Sequence, residues 1–186
     1  MCQHILLAVA LQRWDIVGPS ALVAREVAVA LAKGSSAKLS VLSVYDYELL
    51  SVYRDDRLTP PGLPPALVRH YWENHRRAID ALMRTKMTSF LADVPPVGVP
   101  ITPLLKVGEP RPLIIRTAET LKVDLIVIGT HSKRKVFDVL LGGTAAYVSR
   151  HAPCAVLMAK PGETSVPPEG MKGGHLHVRG QPRYHG

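Results

Sequence analysis

Cysteine is scarce in this 186-residue chain: Cys2 and Cys154 lie far apart and in no CxxC spacing. That excludes a disulfide framework or a structural zinc centre as the basis of the fold. The chain also lacks any uninterrupted apolar run of about 18 to 20 residues, the length a bilayer-spanning helix needs. Its apolar N-terminal stretch, Ile5 to Leu11, is too short to span and has no basic region before it, so no secretion signal is read there. Cys2 follows Met1 directly, without the hydrophobic stretch that precedes a lipoprotein cysteine. A cytoplasmic address and no membrane partner are expected. Enzyme signatures are missing too: there is no G-x-S-x-G elbow, no GK[ST] phosphate loop, no G-x-G-x-x-G fingerprint and no H-E-x-x-H. The carboxylates are scattered, so no catalytic residue is assigned; slow hydrolysis of a bound nucleotide is the one activity left open.

What is present suffices for a folded body. Apolar residues make up 47% and charged residues 20%, enough to bury a core. Lys and Arg number 23 against 15 Asp and Glu, a net charge of +8 that points to an anionic partner without naming it. Glycine and proline are unevenly placed, and ten of the 30 fall between Lys160 and Gly186. That stretch also holds three of the eight histidines and few large apolar residues. The division expected is a folded domain over 1–160 and a flexible Gly/Pro/His-containing tail over 161–186.

Within the body, short apolar runs alternate with longer helical patterns. Ile5–Leu11, Leu39–Tyr45, Ile101–Val107, Leu125–Ile128 and Ala155–Met158 read as strands, and Ile5–Leu11 is continuous enough to be buried on both faces. Pro19–Lys33, Ala66–Leu91, Leu113–Leu121 and Ala145–His151 read as helices. Pro19 and Ser20 open the first helix, and Gly34 stands where a C-terminal glycine cap belongs. The proline-rich run Thr59–Pro65 is a loop ahead of the long helix, and Asp93-Val94-Pro95-Pro96 ends it. Strands separated by helices require crossovers, which gives an α/β fold: a three-layer α/β/α sandwich on a five-stranded, mainly parallel sheet.

The richest chemistry lies between Ile128 and Thr144. Gly129 and Thr130 follow a buried strand at its carboxyl end, where parallel sheets place ligands. Gly142-Gly143-Thr144 then opens a helix, and free N–H groups at such a turn bind phosphate. Lys133, Arg134 and Lys135 add three cations between them. The competing account is a tight turn with a solvated basic loop.

This stretch resembles the nucleotide loop of the universal stress protein (UspA-like) family, whose pattern is G-x2-G-x9-G-[S/T] followed by a helix and an R-H-A-P-C-P-V-L type strand. Gly129 fits the first glycine, Gly142 the third, and Arg150-His151-Ala152-Pro153-Cys154-Ala155-Val156-Leu157 follows at the family's distance. Val107-Gly108-Glu109-Pro110, Ala118-Glu119 and Val123 to Gly129 also resemble the family, as do Ile5–Ala10 and Leu39–Asp46. The resemblance implies an adenine nucleotide alpha hydrolase-like sandwich, a homodimer through the last strand, and ATP at the carboxyl edge of the sheet. It implies a nucleotide-responsive regulatory role in stress response, exerted through dimerisation and a protein partner. Carried onto this sequence, the binding residues are Ala10 at the ribose position, Val44 on the adenine side, and Gly129, Thr130, Ser132, Lys133, Gly142, Gly143 and Thr144 along the phosphate loop.

Three of these depart from the family pattern. Ser132 replaces the second glycine, Gly143 the Ser/Thr, and Ala10 an aspartate expected to hold the ribose. Phosphate-dominated binding with weakened discrimination for the nucleoside is therefore expected. The alternative is a member that has lost ATP binding and acts by protein contacts alone.

Other features carry plainer readings. Arg69, His70, His75, Arg76, Arg77, Arg84 and Lys86 make the long helix basic; a solvated face is the simpler account than nucleic acid or acidic lipid, and no nucleic-acid partner is expected. Tyr71 and Trp72 are read as packing anchors rather than base-stacking platforms. His175-Leu176-His177 with His185 have no acidic or cysteine ligand nearby, so no metal is assigned. His131 reads as a surface loop residue and Cys154 as a buried, inert thiol.

Overall fold

The computed structural model describes residues 2–11, 17–47, 64–96, 98–130 and 143–161. In chain order these form β1 (His4–Val9), α1 (Pro19–Ser35), β2 (Lys38–Tyr45), α2 (Pro65–Ala92), β3 (Ile101–Val107), α3 (Pro110–Leu121), β4 (Leu125–Gly129), α4 (Gly143–His151) and β5 (Ala155–Ala159). All four strand pairings are parallel, in the order β3-β2-β1-β4-β5. The expected three-layer α/β/α sandwich is the one observed.

Alternation along the strands sorts the core into two halves. Ile5, Leu7, Val9, Leu39, Val41 and Val127 face α1 and α2; Leu6, Ala8, Leu42, Val44, Ile126 and Ile128 face α3 and α4. Central β1 is sealed on both sides, with Ile5, Leu6 and Leu7 fully buried. Helix α1 meets the sheet through Ala24, Ala28 and Ala32, a small-residue stripe at i, i+4 spacing that lets its backbone come close. Helix α2 joins the core only from Ile79 onward, through Met83, Met87 and Phe90. Pro103 is tolerated in β3 because β3 is an edge strand, where a missing N–H breaks no ladder.

Helix ends differ from the sequence reading: α2 is one residue longer at each end, α4 starts at Gly143 rather than Ala145, and α1 and α3 differ in ways that have a clear cause. Helix α1 runs past Gly34 to Ser35, and the left-handed cap is Ser36 at φ 55°, whose N–H reaches the carbonyls of Ala32 and Lys33. Gly34 lies inside the last turn and caps nothing: the helix ends where those two carbonyls find a donor, not at the most permissive residue. Helix α3 begins at Pro110 rather than Leu113, since a proline in the first helical turn has no intrahelical N–H to lose.

At the amino edge of the sheet, Asp124 joins β1 to the start of β4. Its Oδ2 accepts the N–H groups of Gln3 (2.7 Å) and His4 (2.9 Å), while its own N–H donates to the His4 carbonyl (2.9 Å). Those two donors hold the carboxyl below its ordinary value of 3.8. A lowered value means the contribution to stability is present above the unfolded pKa and lost as pH falls through the folded one. Thermal melting should therefore show the native chain above Asp124→Asn at neutral pH, with the gap closing below pH about 4. A gap that stays constant through that acid range would refute it.

Candidate functional site

From β1 the chain winds outward through β2 and β3, then returns to lay β4 on the other side of β1. Such a reversal opens a crevice at the carboxyl ends of the two strands where winding changes direction. Those ends are Ala10, directly after β1, and Gly129-Thr130, closing β4. Among the described residues all four helices start at this same edge, because the strands they follow are parallel.

Ala10 is exposed and offers the crevice no polar side chain. Val44 is buried on the α3/α4 side, in register with Lys106 of β3, whose Nζ donates to Thr117 Oγ1 (2.8 Å) deeper along α3. Thr130 is buried, and both its N–H (2.9 Å) and Oγ1 (3.4 Å) donate to the Ala159 carbonyl, tying β4 to the end of β5. Gly143 is the exposed first residue of α4 and Thr144 is half-buried behind it. Six of the nine sequence-derived site residues thus gather at one edge. Ser132, Lys133 and Gly142 lie outside the described residues, as do His131, Arg134, Lys135 and the tail histidines.

Gly129 has a structural duty beside any ligand role. A Cβ there would lie 2.6 Å from the Ser20 carbonyl oxygen and 2.9 Å from its carbon. The close approach that this glycine permits is that of the α1 backbone.

Sequence reasoning passed over Arg111. It sits in the first turn of α3, and a Cβ at Gly143 would lie 2.7 Å from its Nη2. The guanidinium therefore lies over the start of α4. Neither α3 nor α4 carries an acidic residue in its first turn, so the positive ends of both helix dipoles meet there with Glu109, at the α3 N-cap, as the acid beside them. The turn that leads into α3 is fixed by Gly108, at φ 133°, whose N–H donates to the Tyr45 carbonyl (2.9 Å). The only sequence signal was a basic residue just after the Gly108-Glu109-Pro110 turn; its 32-residue separation from Gly143 hid the contact.

On the other face of β2, Tyr45 and Tyr47 both donate to Asp80 Oδ1 (2.7 and 2.9 Å), fastening α2 to the end of the strand. Burial, then the bond to Asp80, pushes the Tyr45 hydroxyl far above its ordinary 10, so it remains a neutral donor. Arg76 lies over the Tyr47 ring, 5.5 Å from its centroid. Upstream on α2, Tyr71 and Trp72 are 45% and 37% exposed, which corrects their reading as packing anchors. The reason is geometric: α2 touches the core first at Ile79, so its first turns project past the sheet edge. Arg69, His70, Arg76 and Arg77 there, and Arg84 further along the helix, are exposed as a basic face, while His75 and Lys86 are half-buried. Cys154 is half-buried, and burial raises its thiol pKa, keeping it protonated and unreactive. A cleft lined by Arg25, Glu26, Lys33, Asp93 and Pro95 opens at the opposite, amino edge of the sheet. Among the described residues no cluster of three or more His, Cys, Asp or Glu could hold a metal, and no helix is long and apolar enough to cross a membrane.

Comparison with known proteins places these features in a family context. A profile of the universal stress protein family matches residues 1–160. The universal stress protein MJ0531 of Methanocaldococcus jannaschii is 31% identical over 126 residues, covering 66% of this chain and 70% of that protein. A universal stress protein family protein of Arabidopsis thaliana, solved with AMP bound, has TM-score 0.53 at 18% identity, covering 90% of this chain and 97% of that one. A universal stress protein in complex with cAMP has TM-score 0.55 at 21% identity, covering 87% of this chain and 98% of its own.

Proposed function

The chain belongs to the universal stress protein family, and from that premise we propose that it is an adenine-nucleotide-binding regulatory module, with the nucleotide held at the carboxyl edge of the sheet mainly through its phosphates. The observation that carries this reading is the convergence of the α3 and α4 N-termini, without first-turn acids, beside a topological switch point. Relatives of the same fold with bound AMP and bound cAMP support the ligand class.

The residues present fit the two ends of such a ligand unequally. The first turn of α4, with Gly143 and Thr144, offers backbone N–H donors for phosphate, and Val44 supplies an apolar wall on the base side. At the ribose position Ala10 offers no acceptor. The nucleotide would supply no chemistry beyond its charge and shape; the chain's part is to bind and orient it. In doing so it would link α3, α4 and the switch point, and through them a protein partner's surface. β5 is an edge strand whose outer side has no neighbour among the described residues, and pairing of two copies through it is part of the proposal. This role is the family's stress-response regulation, without a catalytic residue.

Calorimetric titration of the full chain with ATP and tripolyphosphate tests the reading. Both should bind, with ATP favoured only modestly. If neither binds, the second reading takes over, a regulator that works by protein contacts alone. Ala10 is the observation that favours it.

A further inference from the structure

The space that a side chain at position 143 would fill is taken by a guanidinium. A Cβ on Gly143 would lie 2.7 Å from Arg111 Nη2 and 3.7 Å from Arg111 Cζ. The family pattern puts a serine or threonine at this position, and its hydroxyl would compete for that space. Glycine and arginine are here two halves of one arrangement: the missing side chain on α4 admits the long one from α3.

That arrangement is electrostatically incomplete. Arg111 lies in the first turn of its own helix and its head group lies at the first residue of another, so a cation faces two positive helix ends. Among the described residues no carboxylate pairs with Arg111; the neighbouring Glu109, at the α3 N-cap, makes neither a capping bond nor an ion pair with it. Arg25, by contrast, is held by the Phe90 carbonyl, the Phe90 ring and Asp93. An anion with several oxygens would relieve the repulsion, and a guanidinium fork binds phosphate through two parallel N–H bonds.

We propose that Arg111 is a phosphate-binding residue of the nucleotide site, standing in for the missing Ser/Thr hydroxyl at position 143, and that it selects nucleoside di- and triphosphates over mono- and cyclic phosphates. A hydroxyl is one neutral donor that serves any phosphate equally; a guanidinium adds a full charge whose pull grows with the charge on the chain of phosphates. The inference rests on the nucleotide reading above and names which nucleotides the site prefers.

The test is calorimetry on the full-length protein with ATP, ADP, AMP, cAMP and tripolyphosphate, at two salt concentrations. Arg111→Gln should weaken ATP and tripolyphosphate about tenfold, AMP and cAMP much less, and flatten the salt dependence of ATP binding. Arg111→Lys should recover part of the loss, as a charge without the fork. Gly143→Ala adds only a methyl where the guanidinium rests. It should weaken ATP in the native background and leave it unchanged in Arg111→Gln. Arg111 is exposed, so melting temperatures should not separate these variants from the parent. ATP affinity unaltered by Arg111→Gln, or equal losses from Gly143→Ala in both backgrounds, would overturn the role of Arg111 and leave the nucleotide reading standing. A native chain that binds neither ATP nor tripolyphosphate would overturn both.

Discussion

Gly129→Ala should lower the stability of the domain by about 3 kcal/mol, the upper end of what overpacking costs in a well-packed core. The penalty comes from what the new methyl meets. It would stand 2.6 Å from the Ser20 carbonyl oxygen and 2.9 Å from the carbon, both backbone atoms in the first turn of α1. A flexible side chain could swing aside, but this backbone is fixed by the Ala24, Ala28 and Ala32 stripe that seats α1 on the sheet. Gly129 cannot retreat either, being paired through β4 with Ala159 of β5. For a domain of this size the loss should appear as a fall in melting temperature of about 6 to 12 °C by scanning calorimetry. Gly129→Val should cost more. A melting temperature that does not move would mean that α1 can lift off β4 freely. Because the effect precedes any ligand, weaker nucleotide binding in a Gly129 variant says nothing about a phosphate loop; Gly143 and Arg111 are the informative positions.

What was legible in the sequence depended on how local the cause was. Ile5 to Leu11 reads as an inner strand because a strand covered on both faces needs apolar residues at every position, a property visible one residue at a time. Helix α2 was legible from its period, and its end from Asp93-Val94-Pro95-Pro96. Cap positions were less so: Gly34 has the right chemistry, but Ser36 has the right hydrogen bonds, and φ 55° at a serine is a cost the cap geometry offsets. Tyr71 and Trp72 look like core residues by type; their exposure follows from where α2 first meets the sheet, which periodicity does not encode. The candidate site was legible as a set of residues carried over by resemblance, Ala10, Val44, Gly129, Thr130, Gly143 and Thr144, and the fold brings these to one edge. The duty of Gly129 toward Ser20 and the seating of Arg111 on Gly143 were not legible, because each joins segments that meet only after the sheet has assembled.

Ala10→Asp should convert a phosphate-dominated site into one that also reads the ribose. Ala10 lies at the carboxyl end of β1, beside the switch point, and its side chain is open to solvent, so a carboxylate there displaces no packed neighbour and loses little hydration. Each charge-assisted hydrogen bond from a ribose hydroxyl is worth about 1.5 to 3 kcal/mol. Part of that is offset by repulsion between the new carboxylate and the phosphates, leaving a net gain of about 2 kcal/mol, or about thirty-fold in ATP affinity. Tripolyphosphate has no ribose, so its affinity should stay level or fall slightly. 2′,3′-Dideoxy-ATP should gain nothing either, which separates hydroxyl recognition from a general change in the site. Calorimetry on the native chain and Ala10→Asp with these three ligands decides the matter. Equal changes for all three would mean that the end of β1 does not face the ribose. A selective gain for ATP would locate the nucleoside beside β1, with its phosphates reaching toward α4.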